Sequence, residues 1–478
     1  MSAARLVARE ELRVWRRSRL AVVAGAVAAL LVIVSVVSTV ARVGAEAAAR
    51  DALQETSEAT FLSQPDRHPH RMVHYGHFVF RAPPPLAALD PGVDPYTGTA
   101  MFLEGHRQNS ATFSQARSAA WPGALGGLTP AATYQLVVPL LLILIGYASV
   151  VREREGATGA QLAATGVSLR TLWVGKSLAL GLVGLVLLVP LIVGALATGE
   201  GIAATALFIG AYALYLAVWV FLITAASVWA RTTAGALVVL VTAWVGLAVA
   251  VPRLASLMAE AAVPIAGKVE TDLAVAAEMR KLGDGHNAND PAFARLRAEL
   301  LEQYGVERVE DLPVNFRGVV AQASEAELTA MMNRFAEVQM ASEADQAALS
   351  DRLGLLSPAS ALGTASVRIT GTDLRAHHRF LREAEAVRFD FVQGLNAAHA
   401  NELSYEADVN RNASEAAGRR ARIAAENWRV LSEFRFEPSP QAARAGAAAL
   451  PLIALAAWLG GAVLMGWAGA GREIVRHD

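Results

Sequence analysis

Six stretches of about 20 apolar residues constrain this chain more than any other feature of its sequence. A helix needs roughly 20 residues to cross about 30 Å of hydrocarbon, where every backbone polar group must be satisfied internally. The composition agrees, because 54% of the residues are apolar and only 18% are charged. We therefore predict a mainly α polytopic membrane protein with six transmembrane helices, at residues 20–40, 134–151, 178–198, 202–228, 234–251 and 447–467.

The first apolar stretch follows an arginine-rich segment, as the apolar region of a secretory signal peptide also would. Its apolar run is longer than the roughly 7 to 15 residues typical of a signal peptide. No clean cleavage site with small residues follows it. We interpret it as a retained membrane anchor.

Basic residues in the short flanks predict the orientation, because Lys and Arg are retained on the cytoplasmic side. They lie before the first stretch, between the second and third, between the fourth and fifth, and after the sixth. All four positions share one side if six spans are correct. We predict a multi-pass protein of the bacterial inner membrane with both termini in the cytoplasm. The cytoplasmic segments are then 1–19, 152–177 and 468–478, and the extracytoplasmic insertions are 41–133 and 252–446.

The two insertions predict one large, mostly helical extracytoplasmic domain. The first continues the helix of the anchor to about residue 58, and a proline-rich segment then excludes a continuous helix. Within that segment we predict one short strand through Val73, Tyr75, Phe78 and Phe80. In the second insertion the capping residues and apolar periodicity predict helices over 292–304, 325–340, 372–400 and 402–434.

Composition and motifs exclude several classes of chemistry. A formal net charge of −1 gives no basic excess for nucleic acid, and the chain has no cysteine for a thiolate nucleophile. His-Glu-x-x-His and Gly-x-Ser-x-Gly are both absent from the sequence. Gly175-Lys176-Ser177 ends like a phosphate-binding loop, but Arg170 stands where that motif requires glycine. We interpret Lys176 as snorkelling beside the lipid headgroups, and we expect no enzyme activity and no bound cofactor.

A group of histidines could bind a metal ion. His68, His70, His74 and His77 lie within ten residues, and His106 follows. Neutral imidazole is a common ligand for zinc or copper, so a metal site on the outer face is one interpretation. However, the spacing of His68 and His70 across Pro69 imposes no chelating geometry. We favour a structural or protein-binding role, with metal binding as the alternative.

The loop 152–177 is the only inner loop between spans long enough to form a helix outside the bilayer. Charged residues at a membrane exit, followed by a short amphipathic helix, are typical of a surface on which a cytoplasmic partner can push. The alternative is an ordinary hairpin between spans. We expect Gly156 and Gly159 to adopt backbone angles accessible to glycine, so that the turn presents Gln161 and Leu162 to a partner.

This loop resembles that of the type-2 ABC transporter permeases, which reads approximately Glu-Arg-Glu, Gly-Thr, a short coupling helix, a small residue or Pro, and Gly-Lys. The matching positions are Glu153-Arg154-Glu155, Gly156, 161–164, Gly166 and Gly175-Lys176, with Ala157 where Thr is usual. The resemblance implies that a separate ATPase, which binds ATP and Mg²⁺, docks on this loop. The residues expected to couple the two subunits are Glu153, Glu155, Gly156, Gly159, Gln161 and Leu162.

A second resemblance extends over nearly the whole chain. Segments in both insertions are similar to the bacterial permease family that carries the uncharacterised region DUF3526. The matching strings are 66–70, 74–78, 89–98, 104–109, 356–360, 371–373 and 377–380. This resemblance implies a half-transporter or paired permease that is worked by a separate ATPase, and it implies no substrate.

A transport permease is the function that these observations favour. Six spans would supply half of a twelve-span pore, so a second copy or a related permease is an expected partner, beside the ATPase, membrane lipid and a candidate periplasmic protein. The alternative is a membrane-anchored extracytoplasmic receptor or assembly scaffold. A sensor normally ends in a cytoplasmic signalling domain, whereas the tail after the sixth stretch is only 468–478.

Overall fold

The computed structural model of the chain describes residues 2–111, 128–156 and 158–471. Within these residues the protein is mainly α and has six helices that are long and apolar enough to cross a membrane. The predicted fold class is therefore confirmed. We number these helices as spans one to six: Arg19–Leu62, Pro130–Glu155, Leu169–Ala197, Ile202–Trp229, Thr233–Ala262 and Gln441–Gly469.

Span one is much longer than a bilayer requires. Ser18 begins it, because its side chain accepts a hydrogen bond from the amide of Ala21. As the sequence predicts, the helix continues past residue 40, and it ends at Leu62. Its far end carries Phe61 into the core of the insertions, so one continuous helix connects that core to the helix bundle.

Prolines lie inside four of the spans, and near three of them a backbone carbonyl accepts a hydrogen bond from a side chain of another segment. Pro139 and Pro252 follow π-helical turns at Thr133–Val137 and Val245–Ala250. The accepting carbonyls near Pro139, Pro190 and Pro252 belong to Gln135, Leu187 and Leu247, and their donors are the hydroxyls of Tyr215, Tyr134 and Ser357. Such pairing is what permits proline inside a membrane helix.

Span two divides into helical segments at Pro130–Ala132, Val138–Gly146 and Val151–Glu155, on either side of its π turn. Span five likewise consists of Thr233–Trp244 and Val251–Ala262. Two further helices, Ala3–Arg17 and Thr158–Ala164, lie at the end of the bundle that carries the amino terminus. We call this end the terminal face.

The two insertions pack together at the opposite end of the bundle and form what we call the insertion domain, residues 63–111 with 263–440. Its core contains Trp428, Phe380 and Phe391. Its α-helices are Pro69–Val73, Asp94–Thr97, Lys268–Met279, Ala294–Tyr304, Phe316–Gly354, Pro358–Thr370, Leu374–Glu402, Tyr405–Val409 and Glu415–Arg420. Its 3-10 turns are Pro85–Ala88, Pro291–Phe293, Val309–Asp311 and Ala425–Glu433.

A two-stranded antiparallel sheet lies in the first insertion. Strand β1, His77–Phe80, pairs with β2, Ala100–Leu103, so that His77 faces Leu103. The strand prediction is right for Phe78 and Phe80. It is wrong for Val73 and Tyr75, because the helix Pro69–Val73 precedes the strand and Gly76 separates the two with a left-handed φ of 69°.

Two helix predictions in the second insertion are wrong. Ser324 does not begin a helix, since Asn315 caps an uninterrupted helix Phe316–Gly354 through the amide of Arg317. The run 402–434 is broken into short helices and a 3-10 turn. Two others are right: Gly305 ends Ala294–Tyr304 in the left-handed region, and Asp373 caps Leu374–Glu402.

The helix Pro358–Thr370 belongs to the helix bundle as much as to the insertion domain. The Ser366 hydroxyl lies 2.9 Å from that of Tyr212 in span four. Arg368 donates to the carbonyl of Ala447 in span six at 2.8 Å. The insertion domain is therefore packed into the bundle and is not merely tethered to it, which the sequence analysis did not anticipate.

Candidate functional site

The predicted coupling loop forms a short helix, Thr158–Ala164, on the terminal face. Gln161 is exposed, as are Ala160 and Ala163 on the same helix. Leu162 is half-buried and packs against an apolar cluster that includes Val150. The structure thus places Gln161 where a partner could contact it, whereas Leu162 holds the helix to the bundle. The expectation that both side chains face a partner stays a prediction, and Leu162 is the less exposed of the two.

Gly156 and Gly159 do not have the left-handed backbone angles expected for them, unlike Gly166, whose φ is 77°. Gly156 has a φ of −93° and a ψ of 171°, which any residue can adopt, so the expectation of a glycine-specific angle is wrong there. Gly159 also lies outside the left-handed region. A Cβ on Gly159 would lie 2.6 Å from the carbonyl oxygen of Glu153, so this position needs glycine for close packing.

A buried lysine lies at the centre of the terminal face. Lys176 is only 4% exposed, and its Nζ lies 2.5 Å from Glu11 Oε2 and 2.6 Å from Glu153 Oε1. Arg152 also reaches Glu11 Oε2, at 2.9 Å. The interpretation of Lys176 as a snorkelling residue is therefore wrong, because two carboxylates hold the ammonium inside the protein. We call Glu11, Arg152, Glu153 and Lys176 the lysine network.

The sequence analysis missed Glu11, which comes from the helix Ala3–Arg17. This helix lies along span three so closely that a Cβ on Gly175 would be 2.6 Å from the side chain of Val7. Glu11 and Trp15 are its buried residues. The helical spacing of Val7, Glu11 and Trp15 is the signal that could have revealed a packed face in a segment interpreted only as basic.

Other contacts connect the loop to the ends of spans four and five. Glu155 accepts a hydrogen bond from the amide of Thr233, the first residue of span five, at 2.9 Å, and another from its hydroxyl. Arg154 donates to the carbonyl of Val228, near the end of span four, at 2.6 Å. The loop is therefore in direct contact with spans three, four and five.

The four clustered histidines of the sequence do not form one group. His77 points into the core of the insertion domain, where its ring centroid lies 4.8 Å from that of Phe61. Its Nδ1 is 3.2 Å from the hydroxyl of Ser57. Burial lowers the pKa of His77 to about 4, so this histidine is a neutral core residue.

His68 belongs to what we call the aspartate cluster, with His399 and Asp408. The Nε2 atoms of His68 and His399 each lie 2.9 Å from a carboxylate oxygen of Asp408. Arg411 reaches the same carboxylate at 2.5 Å. Burial would raise the pKa of Asp408, but the hydrogen bonds from His399 and His68 outweigh it and hold that pKa well below its usual range.

His70 and His74 belong to a second group with His106 and His286, which we call the histidine quartet. One ring nitrogen from each residue lies within 4.8 Å of those from the other three. The Nε2 atoms of His70 and His74 are 3.3 Å apart. Burial and then the neighbouring His74 lower the pKa of His70 to about 3. Sequence reasoning missed His286, which is 180 residues or more from the other three.

Most of the second insertion matches a known protein-family model. Residues 268–437 match DUF3526, a domain of unknown function. This DUF3526 region supplies His286, His399 and Asp408, whereas His68, His70, His74 and His106 come from the first insertion. Both histidine groups therefore join the DUF3526 region to a part of the chain outside the match.

The DUF3526 match is narrower than the resemblance in the sequence suggests, because it covers neither the first insertion nor the coupling loop. No curated protein matches the chain. No solved structure matches it either. The comparisons thus identify one domain, and the role of the whole chain has to be argued from its geometry.

Proposed function

We propose that this protein is the membrane-spanning permease subunit of an exporter-like type-2 ABC transporter, driven by a separate ATPase. The observation that carries the proposal is the exposed helix Thr158–Ala164, which follows the segment Val151–Glu155 that the lysine network connects to span three. An exposed helix joined to several spans through buried contacts is suited to receive force outside the bilayer. ATP and Mg²⁺ would bind to the partner subunit, and this chain would have no catalytic role.

The proposal also includes a dimer and an orientation. Six spans would pair with a second copy or a related permease, with membrane lipid around them. The terminal face would lie in the cytoplasm of a bacterium, and the insertion domain would face the periplasm, where a periplasmic protein could bind it. Nucleic acid is not an expected partner, given the net charge of −1.

Cysteine labelling tests the orientation, because the chain contains no cysteine. Ala413 in the insertion domain and Ser168 at the terminal face are both exposed. In intact cells Ala413→Cys should react with a membrane-impermeant maleimide, whereas Ser168→Cys should react only after permeabilisation. Labelling of Ser168→Cys in intact cells would reject the orientation.

Docking of the ATPase is tested at Gln161. Gln161→Arg should weaken co-purification of the ATPase and its stimulation by the permease about tenfold, or roughly 1.4 kcal/mol of binding free energy. Asn412→Arg is the matched control, because Asn412 is also exposed but lies in the insertion domain. If both variants retain the partner and full stimulation, this loop is not the docking surface.

The lysine network is tested by a double-mutant cycle. Lys176→Met leaves the buried Glu11 with Arg152 as its remaining cationic partner. Breaking a buried ion pair by removing one partner costs about 3–5 kcal/mol of stability. Adding Glu11→Gln removes the buried negative charge that has lost its lysine partner, and this should recover most of the stability. If the network transmits force, the double variant should regain expression and partner binding but not transport-linked ATP hydrolysis. Full recovery of hydrolysis would show that the network is only structural.

A receptor or scaffold is the second candidate, because the insertion domain contains a cavity of about 870 Å³. Ligand pockets have volumes of about 300–1,000 Å³. Among the described residues, its lining includes Gln108, Lys268, Asn333 and His377. If Asn333→Trp abolishes the function in cells while Gln161→Arg is silent, the receptor is favoured over the permease.

A further inference from the structure

The histidine quartet gathers ring nitrogens from three separate segments. His70 and His74 lie in and directly after the helix Pro69–Val73, and His106 follows strand β2. His286 comes from the second insertion, between the helices Lys268–Met279 and Ala294–Tyr304. The ring centroid of His286 lies 4.8 Å from that of His70 and 5.0 Å from that of His106. Both insertions therefore contribute to one centre.

Carboxylates lie on the outer side of this group. The Nδ1 atom of His286 is hydrogen-bonded to Asp284 Oδ1 at 3.1 Å, and that of His106 lies 2.9 Å from Glu325 Oε2 in an ion-pair contact without hydrogen-bond geometry. Histidines that bind metals usually donate their second ring N–H to such a carboxylate, which fixes the ring and leaves the other nitrogen free. The Nε2 atom of His106 is buried and has no hydrogen-bond partner among the described residues.

The nitrogen separations suit a tetrahedral ion. A Zn–N distance of about 2.0–2.1 Å in a tetrahedron places ligand nitrogens roughly 3.3 Å apart. The Nε2 atoms of His70 and His74 are already 3.3 Å apart. The side chain of His286 is 52% exposed, and the ligand nitrogens of all four histidines lie within 4.8 Å of one another. Small side-chain rotations would therefore complete the geometry.

The backbone of His106 adds an independent observation. Its φ is 62°, and it is the only non-glycine residue with a positive φ in the described parts of the chain. Non-glycine residues adopt this conformation infrequently, and such residues cluster at binding sites. The conformation is accompanied here by a ring nitrogen that lacks a partner.

We propose that His70, His74, His106 and His286 bind one Zn²⁺ ion, which clamps the first insertion to the DUF3526 region. Four imidazole nitrogens without a thiolate suit zinc, whereas calcium and magnesium prefer oxygen ligands. The clamp does not depend on the proposed transport function. It would order the insertion domain whatever that domain does.

Zinc binding is measured on the full-length protein, purified in detergent with a tag that contains no histidine. After removal of metal with a chelator, the protein should bind one Zn²⁺ per chain by elemental analysis and titration calorimetry. X-ray absorption should give four nitrogen ligands at about 2.0 Å. Zinc should also slow amide hydrogen exchange in both 69–75 and 283–288, because the ion would restrain both insertions at once.

Variants identify the ligands. His286→Gln should weaken zinc binding at least about tenfold, and adding His70→Gln should abolish it. The exposed position of His286 makes this substitution compatible with folding, which unchanged exchange in the helix Leu374–Glu402 would verify. His378→Gln is the control, because His378 pairs with Glu343 at 2.7 Å outside both histidine groups, and it should bind zinc like the wild type.

Three results would overturn the proposal. The first is wild-type protein that binds clearly less than one zinc per chain. The second is a double variant of His70 and His286 that binds as much zinc as the wild type, which would place the ion elsewhere. The third is zinc-dependent protection in only one of the two insertions.

Discussion

The aspartate cluster and the histidine quartet begin two residues apart in the chain and have opposite arrangements. In the aspartate cluster, the carboxylate of Asp408 lies between the rings of His68 and His399 and bonds the Nε2 atom of each. The Nδ1 atom of His68 also accepts a hydrogen bond from the amide of His70, at 3.2 Å. Both ring nitrogens of His68 are therefore used in hydrogen bonds.

In the quartet the carboxylates lie outside the group. Asp284 and Glu325 contact the Nδ1 atoms of His286 and His106, so the Nε2 side of each ring is left for the centre. The same residue types thus form a closed structural network in one place and an open set of ligands in the other. The position of the carboxylate, and not the number of histidines, distinguishes the two.

The largest expected effect comes from removing the central carboxylate. Asp408→Ala leaves two buried histidines and Arg411 without their partner, and we expect a loss of about 3–5 kcal/mol in the stability of the insertion domain. Hydrogen exchange of the amides in Leu374–Glu402 measures it. Asp390→Ala is the control, because Asp390 lies on the helix Leu374–Glu402, whose exchange is measured, and is exposed. Equal exchange in the two variants would contradict a closed structural network.

Acidification is the next largest effect, and part of it acts through buried histidines outside both groups. Burial lowers the pKa of His77 and of His377 to about 4. The unfolded chain binds these protons near pH 6.5, so stability is complete above that pH and is lost as the pH falls toward about 4. We expect a loss of about 1.4 kcal/mol per histidine between about pH 7.5 and about pH 5.5.

Thermal unfolding at a series of pH values measures this loss. The nearby charges are mixed: Arg435 and Arg81 lower these two pKa values further, whereas Glu58 and Glu343 oppose the shift. The double variant His77→Phe, His377→Phe should make the pH dependence less steep. An unchanged slope would assign the acid sensitivity to other groups.

Single histidine substitutions compare the two groups directly in metal-free protein. His68→Gln should cost about 1–3 kcal/mol, because it disturbs a buried hydrogen bond to Asp408. His286→Gln should stay within about 0.5 kcal/mol, as expected for an exposed side chain. Amide exchange near each site provides the measurement. If the order of the two costs were reversed, the assignment of closed and open groups would be wrong.

The smallest effect is expected from the outer carboxylate of the quartet. Asp284→Asn keeps a hydrogen-bond acceptor near His286 but removes the charge, and we expect zinc affinity to fall about tenfold. Stability without metal should not change, because Asp284 is exposed. Asp311→Asn, another exposed aspartate of the same insertion, is the control. Equal zinc affinity in the two variants would show that Asp284 does not orient the ligand.

Local sequence signals predicted much of the helical structure. The apolar runs are long enough that only membrane helices explain them, and capping by Asp373 and termination at Gly305 follow from residues next to one another in the chain. The same reasoning failed at Ser324, where a correct capping pattern lies inside a longer helix. Packing of the helix Phe316–Gly354 against its neighbours outweighs that local preference.

The site could be predicted only in part. The loop helix Thr158–Ala164 follows from the charged residues where the chain leaves the membrane and the small residues after them. The histidines were recognisable in the sequence as candidate metal ligands. The partners Glu11, His286 and Asp408 were not, because each contacts at least one residue of the site that is far away along the chain. Spacing identifies neighbours within one helix, and it carries no information about contacts between distant segments.

The sequence by itself determined that this protein is a helical, polytopic membrane protein with two large polar insertions, because hydrophobic length and helix-ending residues act locally. Only the tertiary structure decided that Lys176 is buried between two carboxylates, and that His68 and His70 enter different groups. The physical reason is that ion pairs and possible metal ligands depend on distances of about 3 Å between side chains. Those distances are set by the packing of whole helices, which no local pattern of residues specifies.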